Sequence, residues 1–232
     1  MRLLLATNND HKRRELEGIF EGHRLLLPKD LELDFHHEET GLTFHENALG
    51  KARALYNLVI AQSDSPSGER DHQLRGPSIP ESPVGVIADD SGLSVGALDG
   101  RPGIYSARYG STPERPELTD DERNRLLLTE MEGMRDRRAH YTCCMALLLE
   151  RERYYLLQET WHGEIAHQPS AGIHGFGYDP IFYLPEAGRT VAELSPDDKN
   201  TVSHRGKAAR DLATLLRALE AEGRLDAALL SP

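Results

Sequence analysis

The chain opens on an unbroken apolar run, Leu3-Leu4-Leu5-Ala6, which stops at Thr7-Asn8-Asn9-Asp10 and gives way to Leu16, Ile19 and Phe20 at helical spacing. That order predicts a buried strand, a polar turn and an amphipathic helix. A second helix is expected from Thr43, with Glu46 three residues later completing a capping box, through Ala52 and Leu55 to about Ile60. Over residues 62–83 periodicity disappears and Ser, Pro, Gly and charged residues dominate, which reads as a long surface-loop insertion. Residues 84–88 form an apolar strand that ends abruptly at Asp89-Asp90-Ser91-Gly92. Downstream, the pattern predicts a helix over 120–134, an apolar strand over 142–149 and a partner strand over 154–160, turned near Arg151-Glu152-Arg153. A turn-rich stretch leads to Gly177, and Leu212, Leu215, Leu216 and Leu219 predict a closing amphipathic helix soon after Ser203.

Composition narrows what such a chain does. Its 232 residues, 38% hydrophobic and 28% charged, suit one α/β domain with a sizeable core, so 1–232 is read as a single domain. A formal charge of −11 argues against a nucleic-acid footprint, which needs a basic face, but leaves room for a local basic pocket that takes free nucleotides. No apolar run approaches the ~20 residues of a membrane span, and the N-terminal run is shorter than a signal-peptide core. The two cysteines, Cys143 and Cys144, are adjacent in a strand and make no metal pattern; core packing in a reducing cytoplasm is expected.

Four places carry candidate chemistry. Asp residues are poor in strand interiors, so Asp89 and Asp90 are expected where the strand ends, with their side chains on opposite sides. One can face a cleft and hold a hard cation such as Mg²⁺; the plain alternative is a solvated Asx-type turn. Residues Thr7 to Lys12 join a strand to a helix whose free N–H groups suit phosphate, or are simply capped by Asn or Asp. Phe176-Gly177-Tyr178-Asp179 combines a ring, a flexible joint and an acceptor, fit for stacking on a base or for an ordinary tight turn. Lys199, His204 and Arg205 sit before or at the start of the last helix, where cations are unfavourable unless a bound anion or base repays them; Ser203 is the natural N-cap. His36-His37 and Asp120-Asp121 have no ligand-set spacing and read as surface residues.

Read together, Asp89-Asp90-Ser91-Gly92-Leu93 with Gly100-Arg101-Pro102-Gly103-Ile104-Tyr105-Ser106-Ala107-Arg108-Tyr109, Thr7 to Lys12, Gly41 to Ala48 with Lys51-Ala52, Phe176 to Pro180, and Lys199-Asn200 with Ser203 to Ala208 occur in one order along the chain. This ordered set resembles the inosine triphosphate pyrophosphatase family, enzymes that remove non-standard purine nucleoside triphosphates. The resemblance implies an elongated, twisted mixed sheet with flanking helices and two lobes around a nucleotide-binding cleft. It implies Mg²⁺-dependent hydrolysis of ITP, dITP and XTP to the monophosphate and pyrophosphate, in a cytoplasmic homodimer. It assigns the triphosphate to the loop Thr7, Asn8, Asn9, Asp10, His11 and Lys12, and the metal to Asp90 and Glu46, with Asp89 a further candidate. Asp90 is the catalytic candidate, as base or as metal ligand. Ser91, Phe176, Gly177, Tyr178 and Asp179 go to the nucleoside, Lys199 to phosphate, and His204-Arg205 to the purine. A Maf-like pyrophosphatase of pyrimidine or methylated nucleotides, and a nucleotide sensor without turnover, are the competing readings. No membrane or nucleic-acid partner is expected.

Overall fold

The computed structural model describes residues 2–63 and 85–225. The insertion expected over 62–83 therefore lies, from residue 64 onward, outside the described residues. Residues 62 and 63 belong to a helix. Among the described residues, seven strands make one mixed sheet in the order β2-β1-β3-β4-β5-β6-β7, with helices flanking it. Strand β1 (Arg2–Leu5) pairs in parallel with β2 (Arg24–Leu26) on one side and with β3 (Gly85–Val95) on the other. Strands β4 (Arg138–Glu150) and β5 (Arg153–Ile165) are consecutive neighbours, and β6 (Phe182–Leu184) pairs antiparallel with both β5 and β7 (Arg189–Thr190). The mixed α/β class that the resemblance implies is the one found.

The chain folds as two compact units. The first comprises residues 1–90, 144–157 and 208–232; the second comprises 91–143 and 158–207. In the first, helices α1 (Asp10–Glu17) and α2 (Phe44–Ser63) and most of α5 (His204–Ala221) accompany β1, β2 and the start of β3. Its core joins Leu4, Ala6, Leu26, Ala48, Ala52, Leu55, Val86, Ala88, Cys144 and Ala146. Ala at the α2 positions suits close packing, since small side chains let a helix approach a sheet. The second unit holds α3 (Asp120–Glu130) and α4 (Pro196–Val202) and has a bulkier, aromatic core that includes Tyr141, Trp161, Tyr178 and Phe182.

Several boundaries moved. Helix α1 stops at Glu17, so Ile19 and Phe20 lie in the following turn, where both N–H groups donate to the Leu16 carbonyl; Leu16 and Phe20 are still buried. Helix α2 runs past Ile60 to Ser63, while α3 ends at Glu130, short of 134. The β4–β5 pair is longer at both ends than the apolar run suggested, because β5 alternates burial along most of its length and its polar positions conceal it from a simple hydropathy reading. A short helix, α4, had no periodic signal; Ser195 caps it by accepting the Asp198 N–H at 3.1 Å. The consequential correction concerns the acids. Strand β3 does not end at Asp89 but continues six residues to Val95, so both aspartates sit inside a buried strand, 6% and 5% exposed.

Candidate active site

Charge inside a strand persists only where partners are built around it. Within the first unit the two acids are held separately, as the strand's alternation requires. Asp89 Oδ1 accepts from Lys12 Nζ of α1 at 2.8 Å. Asp90 Oδ2 accepts from Asn47 Nδ2 at 3.0 Å and Oδ1 from Lys51 Nζ at 3.4 Å, both on α2. Lys51 also donates to Glu39 Oε1 at 2.7 Å. Burial pushes the Asp90 carboxyl above its ordinary value, with Lys51 pulling the other way and Glu39 adding to the rise. For Lys51, burial works against the charge, but the Asp90, Asp89 and Glu39 carboxylates outweigh it and leave the ammonium harder to deprotonate than usual.

The Thr7 to Lys12 loop is organised first as a helix cap. Thr7 Oγ1 accepts the Asn9 N–H at 3.1 Å, and Asn9 Oδ1 accepts the Lys12 N–H at 3.4 Å. Asn8 Nδ2 donates to the Phe35 carbonyl at 2.9 Å, and Asp10 is engaged by Arg13 at 3.1 Å and Lys29 at 2.5 Å. His11 lies in the first turn of α1. The loop thus brings Lys12 to the acid pair, while the side chains of Asn8 and Asp10 serve the local structure. Glu46 behaves similarly. Its N–H is capped by Thr43 Oγ1 at 3.1 Å, as expected, but its carboxylate accepts the N–H of Leu42 at 2.6 Å rather than that of Thr43.

In the second unit a different chemistry gathers. The Phe176 ring is 40% exposed, with Lys199 Nζ 4.4 Å and Arg205 Cζ 5.7 Å from its centroid. Lys199 is itself buried and donates to Asp179 Oδ2 at 2.7 Å. The same oxygen accepts the Phe176 N–H at 2.9 Å. Gly175 has φ +82°, and a Cβ there would collide with the Asp179 carboxylate, so the turn requires glycine. His204 is buried and lies flat on Tyr141, with centroids 4.7 Å apart and planes at 5°; Trp161 stacks at 6.3 Å. Arg205 Nη2 reaches Ser91 Oγ at 3.5 Å. Ser203 caps α5 through the Gly206 N–H at 3.1 Å, as anticipated.

Residues 3–215 match the model of the Ham1 family. This chain belongs to the Ham1 family. A dITP/XTP pyrophosphatase of Treponema denticola is 42% identical over 217 residues, covering 94% of this chain and 99% of the relative. One from Bordetella pertussis is 42% identical over 228 residues, covering 97% and 94%. Among solved structures, the Ham1 protein of Staphylococcus aureus superposes with a TM-score of 0.73 at 35% identity, covering 94% of this chain and 99% of that one. A HAM1 protein of Coxiella burnetii gives 0.74 at 34%, with the same coverage.

Measured against this Ham1 chain's geometry, the expected residues divide. Lys12, Asp89 and Asp90 come together in one unit, and Ser91, Phe176, Asp179, Lys199, His204 and Arg205 in the other. Tyr178 does not present its ring as a platform: it is buried in the aromatic core and its hydroxyl donates to the Ser106 carbonyl at 2.8 Å. Lys199, expected towards phosphate, lies over the Phe176 ring. Sequence reading missed Asn47 and Lys51 as partners of Asp90, and Glu39 as a second partner of Lys51, although Asn47 and Lys51 stand four apart on one helix face, a spacing that signals a shared neighbour. It also missed Tyr141 and Trp161 behind His204, for which no local signal exists. Asp120 was read as a surface residue; its Oδ2 accepts the Gly177 N–H at 2.6 Å.

The donor set also bears on metal. Among the described residues no three His, Cys, Asp or Glu side chains gather as a metal cage. Mg²⁺ takes one or two carboxylates and completes its shell with water and substrate phosphates. Asp90, with further lone pairs beyond those used by Asn47 and Lys51, fits that part. Glu46, exposed and engaged by the Leu42 N–H, fits it less well.

Proposed function

We propose that this chain is a nucleoside-triphosphate pyrophosphatase that hydrolyses non-standard purine nucleotides, ITP, dITP and XTP, between the α- and β-phosphates. The observation that carries the reading is Asp90, a carboxylate kept inside a strand by a helix lysine and amide. Relatives named dITP/XTP pyrophosphatase support it, at 42% identity over nearly the whole chain. Phosphate chemistry falls to the first unit. Asp90, whose burial raises its proton affinity, accepts a proton from the attacking water or orients it. Lys12 and Lys51 offset the phosphate charge. Asp90 would hold Mg²⁺, which when bound would neutralise charge on the departing pyrophosphate.

Base recognition falls to the second unit. A purine stacks on Phe176, a contact that contributes ~1–3 kcal/mol. Arg205 can only donate, and so suits the keto oxygen at ring position six of hypoxanthine or xanthine. Adenine presents an amino donor there and leaves donors facing donors, at about 1–3 kcal/mol for each unpaired group. Assembly as a homodimer belongs to the same reading, and light scattering on the purified chain checks it. The deciding assay supplies ITP, XTP, ATP and UTP with and without Mg²⁺ and separates pyrophosphate from orthophosphate. Pyrophosphate from ITP and XTP, little from ATP and UTP, and none without Mg²⁺ is the expected pattern. Orthophosphate as the product, preference for UTP, or binding without turnover overturns it.

A further inference from the structure

The two peptide groups that flank Gly177, the residue after Phe176, are held by one helix. Gly177 has φ +63°, a conformation that lets the turn expose its N–H and C=O but fixes neither. Asp120 Oδ2 accepts the Gly177 N–H at 2.6 Å, and Asn124 Nδ2 donates to the Gly177 carbonyl at 3.1 Å. The two side chains stand four apart on α3, one above the other on the same face. Asn124 is buried, and Asp120 is itself held by Arg123, which also donates to the Leu118 carbonyl. The helix start is fixed in turn by the Thr119–Glu122 capping box. A third restraint, Asp179 Oδ2 on the Phe176 N–H, acts from within the turn.

We infer that Asp120 and Asn124 are positioning residues for base recognition: α3 sets the plane and height of the Phe176 ring by clamping the two peptide groups that flank Gly177. The inference rests on the proposal that Phe176 stacks on the base. A flexible turn with an exposed ring would lose ordering entropy on binding, and a clamped turn has lost it already, which is how preorganisation raises affinity. Neither side chain needs to touch the nucleotide. Asp121, one residue on, is exposed and has no such role.

Calorimetric binding of IMP and of inorganic pyrophosphate, with Mg²⁺ present, tests this in the parent, Asp120→Ala, Asp120→Asn, Phe176→Ala and the double variant. The Asp120 side chain is 43% exposed, so its loss leaves the fold intact, and thermal melting confirms it. Asp120→Ala weakens IMP about tenfold, the scale of one charge-assisted hydrogen bond, and leaves pyrophosphate unchanged. Asp120→Asn, which keeps an acceptor oxygen, recovers most of the loss. In the Phe176→Ala background the Asp120→Ala change adds nothing. Unaltered IMP affinity in Asp120→Ala, or the same loss repeated without Phe176, overturns the inference while leaving the stacking proposal in place. Equal IMP binding by the parent and Phe176→Ala removes the stacking proposal, and the inference with it.

Discussion

The two units solve opposite problems. In the first, the candidate groups are charged and hidden: Asp89 and Asp90 lie within a strand, and each is tolerated because a lysine on a different helix meets it. In the second, the candidate group is apolar and exposed: Phe176 stands out of a turn, with cations on its ring and a helix holding the residue after it. The difference follows from what each would handle. Phosphate chemistry needs strong fields at fixed positions, which burial supplies by lowering the local dielectric. A base needs a flat surface reachable from solvent, so rigidity must come from the turn's hydrogen bonds instead.

If this division is right, changes in one unit leave the other's ligand untouched. The largest expected effect is at Asp90: Asp90→Asn slows pyrophosphate release from ITP by about 10²–10⁴-fold, the range of a lost general base, while IMP still binds. Parental turnover in this variant removes Asp90 from the chemistry. Next comes Phe176→Ala, which weakens IMP roughly tenfold or more, as one lost base stack does, with pyrophosphate affinity unchanged. A parallel loss for pyrophosphate would erase the division. Lys12→Ala should do the reverse, weakening pyrophosphate and all triphosphates by about fivefold, on the scale of a typical net hydrogen bond, without altering the ITP-to-XTP ratio.

The smallest effect is a shift in pH profile. Catalysis needs Asp90 ionised; burial favours its protonated form and Lys51 its ionised form, so rate is lost as pH falls and the carboxyl takes up a proton. Lys51 lowers the carboxyl's pKa, so Lys51→Met moves the acid limb of kcat/KM to higher pH. A limb that stays put, or moves down, contradicts the assigned interaction.

Much of this was legible in the chain. Helix starts announced themselves through short-range chemistry, as Thr43 on α2 and Ser203 on α5 both cap the residue three positions on. The inequivalence of Asp89 and Asp90 followed from the strand's twofold alternation alone. Other features depended on distance. The acids looked like a strand end because Asp is unfavourable inside one, yet their partners Lys12 and Lys51 come from 77 and 39 residues away and reverse that preference. Asp120 looked like one more solvated first-turn acid, and only the fold brings it to Gly177, 57 residues on.

The sequence by itself determined the local grammar: which segments are strands or helices, where several begin, which residue types carry charge or a stacking face, and through the ordered motifs the family. Those properties depend on neighbours a few residues apart, whose geometry each element fixes. The tertiary structure decided which charges are buried and paired, that Tyr178 supports the core while Phe176 stays exposed, and that α3 holds the turn beside it. Burial and pairing are properties of residues distant in sequence, and they acquire an energy only when the sheet and its helices have brought those residues within a few ångströms of each other.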